Sequence, residues 1–406
     1  MTLEVATAPS LVMVLPSNIT VPVEDVINWR RHIHQNPELS FQERNTSDYV
    51  ADLLERFGLE VLRPTETSVV GVLRGTATGA EGSRTVAWRA DMDALPIQEE
   101  TGQPFASVVP GVMQACGHDA HTAMGLGAAK VLSGMRDHIH GTIRFLFQHA
   151  EEKNPGGAIQ MIEAGAIEGV DAIFGVHVFN QKAGSIFIHK GPSSTAAGAF
   201  FCTIQGRGSH GSMPQAAIDP ILVASQCVLA LNTIVSRNVD PSHLSIVNVG
   251  AIHSGEAPNV IPDTAKLAVS LRTTIDEDYQ LMAKRCTDII NGICAANGAS
   301  ASFEWTNTYL VLVNDDQLCD LAYEIALGVL PGGAVQWGPG TSGSEDFAQF
   351  ALVIPGCFLF LGAGDKEDGL YYQNHHPKFN ILESCLEAGV KVACALLLGY
   401  LEKSST

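Results

Sequence analysis

Apolar residues follow two different rhythms along this chain, and the changes between them outline its fold. Between residues 23 and 62 they recur at spacings of three and four in VEDVINWRRHIH and SDYVADLLERFGLEV, with Gly58 as a stop signal. This spacing puts apolar side chains on one face of a helix. We therefore predict two helices in this part of the chain.

Three short β-rich runs follow, and each ends abruptly in charged or imidazole residues. They are RTVAWRADMDALP, GTIRFLFQHAEE and GVDAIFGVHV, with helical patterns between them at residues 121–135 and 158–164. This alternation predicts an α/β unit with a largely parallel sheet, which binds ligands beyond the carboxyl ends of its strands. The residues at these strand ends are Asp91, Asp93, Glu151, Glu152 and His177.

The pattern changes after Pro192. AGAFFCTIQGRG, HLSIVNVGAIHSG, DTAKLAVSLRTT and ASFEWTNT are typical of strands, and PILVASQCVLALNTIV and YQLMAKRCTDIINGICAANG are typical of helices. Their order, βαββαβ, predicts an inserted α+β domain of the ferredoxin-like type at residues 193–308. The α/β pattern then resumes, with GCFLFLGAG as a last strand and SCLEAGVKVACALLLGYL as a closing helix. We therefore predict a discontinuous larger domain comprising residues 1–192 and 309–406.

Length and charge agree with two domains and a small substrate. A chain of 406 residues exceeds the size at which a single core stops growing. The formal net charge of −19 repels phosphate backbones and anionic lipid surfaces. We therefore expect neither nucleic acid nor a membrane as a partner.

The cysteines and the first residues of the chain bear on its compartment. The nine cysteines are an odd number scattered through apolar runs, which indicates reduced thiols. The apolar run at residues 11–15 has no lysine or arginine before it and no small-residue cleavage site behind it, so it does not predict a secretory signal. No apolar run is long enough to span a membrane. We expect a cytoplasmic protein.

The stretch ACGHDAH concentrates candidate metal ligands. Cys116, as a thiolate, can bind or bridge divalent metal ions, and His118 can reach the same ions from a loop. The alternative is that Cys116 is a small buried residue and His118 merely starts a helix. His121 has a weaker claim, because we expect it in the first turn of the following helix.

The pair Glu151-Glu152 strengthens the metal interpretation. It follows a predicted strand, so one carboxylate can bind metal while its neighbour takes a proton from water. The alternative is a solvated acidic loop. His177 and His375 add two imidazoles, although a lone histidine among apolar residues is more often a satisfied core group.

A series of ordered motifs resembles one known family. The motifs are WRRHIHQNPELSFQE, WRADMDALPIQEETG, VMQACGHDAHTAMGLGAAKVL, QHAEEKNPGGAIQMIEAG, GVHV, GRGSHGSMP, GEAPNVIPDTAKLAVSLRT, SGSEDFAQF and HHPKFNI. They occur in the order seen in the amidohydrolase branch of the two-metal aminoacylase and carboxypeptidase metallopeptidases, which includes hippurate hydrolases. The resemblance extends over residues 24–385.

This resemblance implies a zinc-peptidase-like catalytic domain, with the insert as its lid and dimerisation domain. It also implies two divalent ions per chain, bridged by Cys116, with Glu151 as general base and acid. One ion would be held by His118 and His177, and the other by Glu152 and His375. His375 is preferred to His376 because the family histidine stands two residues before the proline, here Pro377.

Further roles are implied around the ions. Asp91 and Asp93 would orient His118 and tune the metals, and Glu345 and Asp346 in SGSEDF would act in a similar supporting way. For the two aspartates, the alternative is an ordinary acidic loop after a strand.

The insert carries three more candidates by the same resemblance. His210 would stabilise the developing oxyanion, often in the neighbouring subunit's site. Asn259 and Arg272 would hold the substrate's α-carboxylate, for which a guanidinium is well suited. Without the motifs, His210 would be interpreted as a surface-loop histidine and Arg272 as a charge on a strand surface.

Three departures from the usual branch pattern affect the expected substrate preference. Gln215 follows Met-Pro where the family commonly has MPH. Gly198 stands where an aspartate usually opens the insert. Lys153-Asn154 replace part of a more frequent PAEEGPGG. None removes a proposed ligand. The lysine, the asparagine and the glutamine could line or shape the pocket.

The sequence thus predicts a two-metal amidohydrolase that cleaves N-acyl or N-aroyl amino acids to a carboxylic acid and a free amino acid. Zinc suits the thiolate and imidazole ligands best, with manganese, cobalt and nickel as alternatives. A carboxypeptidase or dipeptidase on the same scaffold is the first competing hypothesis. A non-catalytic binding protein stabilised by metals is the second. We expect a homodimer or higher homo-oligomer formed through the insert.

Overall fold

The computed structural model describes residues 19–77, 84–306 and 309–402. The apolar run at residues 11–15 and the ends of the predicted larger domain therefore lie outside the described residues. Ten α-helices and sixteen strands occur within these ranges. The helices are α1 (Val23–Gln35), α2 (Arg44–Arg56), α3 (His118–Ser133), α4 (Gly157–Glu163), α5 (Pro220–Leu231), α6 (Ile234–Asn238), α7 (Asp276–Ala296), α8 (Asp316–Val329), α9 (Phe347–Val353) and α10 (Cys385–Glu402). The strands are β1 (Glu60–Leu62), β2 (Val69–Arg74), β3 (Thr85–Asp91), β4 (Thr142–Gln148), β5 (Ala172–Phe179), β6 (Ile186–Ile188), β7 (Gly191–Pro192), β8 (Ala196–Gln205), β9 (Ser209–His210), β10 (Ser245–His253), β11 (Val260–Ile261), β12 (Thr264–Thr273), β13 (Ser300–Trp305), β14 (Val313–Asn314), β15 (Val335–Trp337) and β16 (Gly356–Gly362).

The larger sheet has eight strands in the order β1-β2-β4-β3-β5-β16-β6-β15. Its centre is parallel, because β3 pairs in parallel with both β4 and β5, and β5 pairs in parallel with β16. The antiparallel pairs lie toward the edges, between β1 and β2, β2 and β4, and β16 and β6. The predicted α/β unit with a mainly parallel sheet is therefore confirmed.

Helices cover both faces of this sheet. Buried residues of α1, α2, α3, α8 and α10 form one apolar core with one face. Residues of α4 and α9 form a smaller core on the opposite face. Strands buried on both sides are apolar at nearly every position, which explains the continuous apolar runs in the sequence.

The insert has its own antiparallel sheet, in the order β10-β12-β8-β13. Helices α5 and α7 pack on one face of it, around a separate apolar core. The strand order and the βαββαβ sequence are those of a ferredoxin-like domain, so the predicted α+β class is confirmed. The exact boundaries at residues 193 and 308 stay a prediction.

Two further features concern the whole of the described chain. All nine cysteines are free and buried. Within the described ranges, no helix combines the length and the apolar character needed to cross a membrane.

Helix α3 begins earlier than the sequence pattern indicates. His118, which we predicted to act from a loop, is the first residue of this helix, and Gly117 caps it with φ +93° and ψ 16°. This left-handed conformation suits glycine, which has no Cβ. It lets the chain turn sharply between Cys116 and His118.

Replacing Gly117 with alanine is expected to lower the free energy of unfolding by about 2–4 kcal/mol. A Cβ at this position would lie 2.3 Å from Cγ2 of Val178, and the positive φ adds backbone strain. Urea denaturation of chelator-treated protein would measure the loss without a contribution from bound metal.

Gly111 provides the matched control. Its φ is +75°, but a Cβ there would meet no heavy atom within 4 Å. Gly111→Ala should therefore lose only about 1 kcal/mol, the cost of the backbone conformation alone. Equal losses for the two variants would contradict the proposed clash.

Candidate metal centre

The five predicted metal ligands converge at the carboxyl end of the parallel strands. Cys116 and His118 flank the start of α3, Glu152 follows β4, His177 lies on β5, and His375 lies between β16 and α10. Their ligand atoms form overlapping groups, each within 4.8 Å, that could hold a metal ion. The structure thus brings together residues up to 259 positions apart in the chain.

Cys116 lies at the middle of this cluster. Its Sγ is 3.4 Å from Nε2 of His177 and 3.3 Å from Nε2 of His375. Oε1 of Glu152 is 3.1 Å from Nε2 of His375 and 3.9 Å from Nε2 of His118. The thiol of Cys116 therefore contacts two of the other candidate ligands directly.

Hydrogen bonds fix the orientation of two of the imidazoles. His177 directs Nδ1 to the carbonyl oxygen of Val178 at 2.7 Å, and His118 directs Nδ1 to that of Asp93 at 2.9 Å. Both rings therefore turn Nε2 toward the cluster. Such contacts commonly set the orientation of metal-binding histidines.

Among the described residues, two buried atoms of the cluster lack a hydrogen bond of acceptable geometry, although one of them, Oε1 of Glu152, lies 3.1 Å from Nε2 of His375. They are Nε2 of His118 and Oε1 of Glu152. Buried polar atoms are satisfied in the large majority of cases, so these two fit atoms that would coordinate a cation. With a thiol and imidazoles beside them, the donor set suits zinc and other borderline divalent metals.

Asp93 connects the ligands to the neighbouring carboxylate pair. Its carboxylate accepts the backbone N–H groups of Glu151 and Glu152, each at 3.0 Å. Oδ1 also lies 3.2 Å from Nδ1 of His118, and Oδ2 accepts the hydroxyl of Ser40 at 2.6 Å. One buried aspartate therefore positions the glutamate pair and orients a candidate ligand.

Asp91 makes different contacts. Its Oδ1 is 2.6 Å from Nδ1 of His121, and its Oδ2 is 3.7 Å from Nε2 of His118. Nε2 of His121 accepts the backbone N–H of Val178 at 2.9 Å. Because both ring nitrogens of His121 are engaged, this histidine ties β3 to β5 and offers no free lone pair to a metal.

Arg89 is a buried residue that the sequence reasoning missed. Its guanidinium contacts Asp91 at 2.5 Å and both Glu345 and Asp346 at 2.9 Å. It also donates to Gln148 at 2.8 Å. The available signal was an arginine inside an otherwise apolar strand, since a buried charge is rarely left unpaired.

Glu43 was missed as well, and it supports the chain just before the glutamate pair. Its Oε1 accepts the backbone N–H groups of Phe41 at 3.0 Å and Ala150 at 2.8 Å. Both residues have positive φ, +68° and +50°. Burial, followed by the charge of Asp93, raises the pKa of Glu43 to about 7. Nothing in its local sequence pattern indicates these contacts.

The pKa values of the candidate ligands His118, on α3, and His177, on β5, are shifted in opposite directions. Although burial lowers the pKa of His118, the carboxylates of Asp91 and Asp93 raise it to about 10. Burial, followed by the proximity of His121, lowers the pKa of His177 well below its usual range. His177 is thus held as the neutral imidazole that a metal requires.

The thiol and the neighbouring glutamate are also shifted. Burial, followed by the charges of Glu152 and Glu151, raises the pKa of Cys116 well above its usual value. Burial and the charge of Glu345 raise the pKa of Glu151 in the same way. Protons and metal cations therefore compete for this negatively charged cluster.

The adjacent residues His375 and His376, the two alternatives for the last metal ligand, point in different directions. His375 lies beside Cys116 and Glu152, with φ +69°. His376 turns away, stacks on Tyr372 with ring centroids 4.2 Å apart, and accepts the backbone N–H of Lys378 at 3.0 Å. The structure therefore brings His375 into the cluster and leaves His376 outside it.

A cavity of about 570 Å³ opens over the cluster. Its polar lining includes Cys116, Glu151, Glu152, His177, Arg272, Glu345 and His375. Its apolar and aromatic lining includes Phe179, Phe187, Tyr309, Leu312, Phe358 and Phe360. From the insert, Arg272 reaches this cavity and donates from one guanidinium nitrogen to the carbonyl oxygen of Ser342 at 2.9 Å.

Other candidates lie outside the cavity lining. His210 and Asn259 are exposed on the insert, where Gly211 N–H donates to the Asn259 carbonyl at 2.8 Å. Lys153, Asn154 and Gln215 do not line the cavity either. Gly198 lies on β8, opposite Leu271 of β12. Arg272 therefore shares a cavity with the candidate ligands of its own chain, whereas His210 and Asn259 lie outside that cavity.

Loading two divalent ions at pH 7 is expected to release at least about two protons per chain, including one from Cys116 and one from His118. The pKa values of both groups lie above 7 without metal, and both must be deprotonated to bind. The apparent metal affinity should therefore fall as the pH is lowered. Calorimetry of zinc binding in buffers of different ionisation enthalpy measures the released protons.

Two thiol variants control this experiment. Cys116→Ser should reduce the number of released protons, whereas Cys202→Ser, which changes a buried thiol of β8 in the insert, should leave it unchanged. Zinc binding by the wild-type chain without proton release would contradict the protonated state of the metal-free cluster.

Comparisons with known proteins agree with this geometry. Residues 87–399 match the model of peptidase family M20/M25/M40. The chain is 48% identical over 295 residues to an N-acyl-L-amino acid amidohydrolase of Geobacillus stearothermophilus, covering 72% of this chain and 79% of the relative. It is 39% identical over 388 residues to thermostable carboxypeptidase 2 of Saccharolobus solfataricus, covering 94% and 97%. The crystal structure of the Bacillus subtilis YXEP protein, described as a dinuclear metal binding peptidase, has a TM-score of 0.79 at 34% identity and covers 94% of this chain and 98% of its own. The chain is therefore a member of peptidase family M20/M25/M40 and belongs to its amidohydrolase branch.

Proposed function

We propose that this protein is a two-metal amidohydrolase that cleaves N-acyl or N-aroyl amino acids into a carboxylic acid and a free amino acid. The observation that carries the proposal is the spare carboxylate of Glu151. It lines the cavity beside the candidate ligands, while its neighbour Glu152 contacts His375 within the cluster. A purely structural metal site needs no such second carboxylate.

Cys116, His118, Glu152, His177 and His375 would hold the ions. Zinc suits this donor set best, and manganese, cobalt and nickel are the alternatives. When bound, two divalent ions supply Lewis acidity toward an amide carbonyl and make water more acidic.

Glu151 moves the protons in this proposal. As a base, a carboxylate oxygen of Glu151 takes a proton from the attacking water, and it later gives that proton to the leaving amine nitrogen. Its backbone is fixed on both sides, because its N–H donates to Asp93 and its carbonyl accepts the hydroxyl of Tyr309 at 2.8 Å. Such support keeps a catalytic carboxylate in one position.

Recognition of the amino-acid end is assigned to the insert. Arg272 lines the cavity and presents a guanidinium that can bind the α-carboxylate of the substrate. His210 would donate a hydrogen bond to the developing oxyanion, and Asn259 would assist at the carboxylate. Because both lie outside the cavity of their own chain, we propose that they serve the site of a partner subunit.

Exposed apolar residues of the insert support a homodimer. On α5, Leu222 is 54% and Leu229 is 74% exposed. Strand β10 is an edge strand of the insert's sheet, and its Ile246 and Ile252 are 41% and 46% exposed. An apolar unpaired edge is normally covered in a stable protein, and a second copy of the insert would cover this one.

Glu151→Gln is expected to lower kcat for N-acyl amino acid hydrolysis by at least about 100-fold while both metals stay bound. The substitution keeps the shape of the side chain but removes its ability to accept a proton. Elemental analysis and amino-acid release would be measured on the same samples. Glu163→Gln, which changes an exposed glutamate of α4, should behave as wild type. Wild-type turnover by metal-loaded Glu151→Gln would refute the mechanism.

A carboxypeptidase or dipeptidase activity remains the second candidate, because the chain aligns with a named carboxypeptidase over nearly its whole length. Turnover of N-acyl amino acids should exceed turnover of unblocked dipeptides if the amidohydrolase proposal is right. The reverse ranking would favour the dipeptidase. If protein with two metals bound per chain hydrolyses neither N-acyl amino acids nor unblocked dipeptides, a non-catalytic binding protein would be favoured.

Mixing two inactive variants is expected to restore activity if His210 serves the partner's site. In a dimer of one Glu151→Gln chain and one His210→Ala chain, one of the two sites combines an intact Glu151 with an intact His210. With random exchange of subunits, about a quarter of wild-type activity should return. No recovery after confirmed subunit exchange would mean that His210 acts within its own chain, and wild-type activity of His210→Ala alone would mean that it has no role.

A further inference from the structure

One wall of the cavity is made of three phenylalanines on adjacent strands. Phe179 lies on β5, Phe187 on β6 and Phe360 on β16. The ring centroids of Phe179 are 5.5 Å from Phe187 and 5.7 Å from Phe360, with interplanar angles of 74° and 73°. We call these three residues the phenylalanine wall.

Strand register ties this wall to the metal centre. Phe360 is directly opposite His177 in the pairing of β16 with β5, and directly opposite Phe187 in the pairing of β16 with β6. Paired residues point to the same face of a sheet. The wall therefore begins beside a candidate metal ligand and extends across two strand spacings, about 10 Å.

The wall packs against the apolar cluster on this face of the larger sheet. Phe358 is 1% exposed and Leu312 is fully buried, and both belong to the same apolar cluster as the wall. Phe360 is 8% exposed, whereas Phe179 and Phe187 are half-buried. Rings that remain partly exposed to a cavity can bury further apolar surface against a ligand.

Charge is confined to other parts of the cavity. Among the described lining residues, the cation is Arg272 and the carboxylates are Glu151, Glu152 and Glu345. The proposed function uses the arginine for the α-carboxylate and the glutamates for the metals and the proton. A second charged group on the substrate would therefore face the aromatic rings without a counter-ion, which is unfavourable.

We propose that the phenylalanine wall binds an apolar, ring-sized substituent of the substrate, next to the amide that is cleaved. This inference rests on the proposed amidohydrolase function and names its substrate class. The ring can be supplied by an aroyl or arylacetyl acyl group or by an aromatic amino-acid side chain. The chemistry of recognition is the same, and the experiment separates the two sources.

The test compares three substrates that differ only in the position of a ring. N-benzoylglycine carries it on the acyl side, N-acetylphenylalanine carries it on the amino-acid side, and N-acetylglycine carries none. The wild-type enzyme should show a kcat/KM about tenfold or more higher for one ring-bearing substrate than for N-acetylglycine. The preferred member identifies which side of the amide meets the wall.

Variants of Phe187 link the preference to the wall. Phe187→Ala should lower the ratio of kcat/KM for the ring-bearing substrate to kcat/KM for N-acetylglycine by about tenfold. Phe187→Leu, which keeps apolar volume without the ring, should give an intermediate value and guards against misfolding. Phe57→Ala removes a half-buried ring that packs on Trp29 outside the cavity, and it should leave the preference unchanged.

The possible outcomes separate failure of this inference from failure of the proposed function. Efficient hydrolysis of all three substrates without a ring preference would overturn the inference and leave the amidohydrolase function standing. A preference that persists in both Phe187 variants would also overturn it. If metal-loaded protein releases no amino acid from any of the three substrates, the proposed function is refuted. Calorimetric binding of N-benzoylglycine, N-acetylphenylalanine and N-acetylglycine would still test the wall in that case, and equal affinities would refute it.

Discussion

The burial of several carboxyl groups around one guanidinium is the constraint on which the rest of this structure depends. Five buried carboxyl groups stand at the carboxyl edge of the parallel strands, those of Asp91, Asp93, Glu151, Glu345 and Asp346. Arg89 contacts three of them directly. Such a concentration of like charge is unfavourable unless cations, protons or backbone donors compensate it. Raised pKa values are its direct result: Glu345 is raised to about 8 by burial, against the opposing charge of Arg89.

The same constraint explains how neighbouring residues take different roles. Asp93 is compensated by backbone N–H groups and by His118, so it stays ionised, and its pKa is lowered although burial opposes this. Among the described residues, no comparable donor contacts the carboxylate of Glu151; burial, followed by the charges of neighbouring acids, raises its pKa. Divergent environments of adjacent carboxyl groups are a common basis for separate acid–base roles. Divalent cations would complete the compensation that Arg89 begins.

The sequence predicted what depends on local patterns. Alternation and helical spacing located β3, β4, β5 and β16, and the βαββαβ order identified the class of the insert. The Cys-Gly-His motif and the Glu-Glu pair pointed to residues that the structure brings together. Contacts between distant positions were not accessible in this way. Arg89 meets Asp346 from 257 positions away, Glu43 supports Ala150 from 107, and the pairing of His177 with Phe360 depends on a strand register that no local pattern encodes.

The division of the cavity between two structural units has a consequence for specificity. The candidate ligands and the phenylalanine wall are anchored to the larger sheet, whereas Arg272 belongs to β12 of the insert. The two parts meet at residues 338–345, since Ser342 accepts from Arg272 and Glu345 contacts Arg89. Gly340 lies so close to the backbone of Pro192 that a Cβ would be 2.9 Å from its carbonyl oxygen. If Arg272 binds the substrate's α-carboxylate as proposed, the packing of this segment would help to set the distance between that carboxylate and the candidate metal ligands. Under the proposed function, the packing of this segment would limit the length of the substrate, and the phenylalanine wall on the larger sheet would select its apolar substituent.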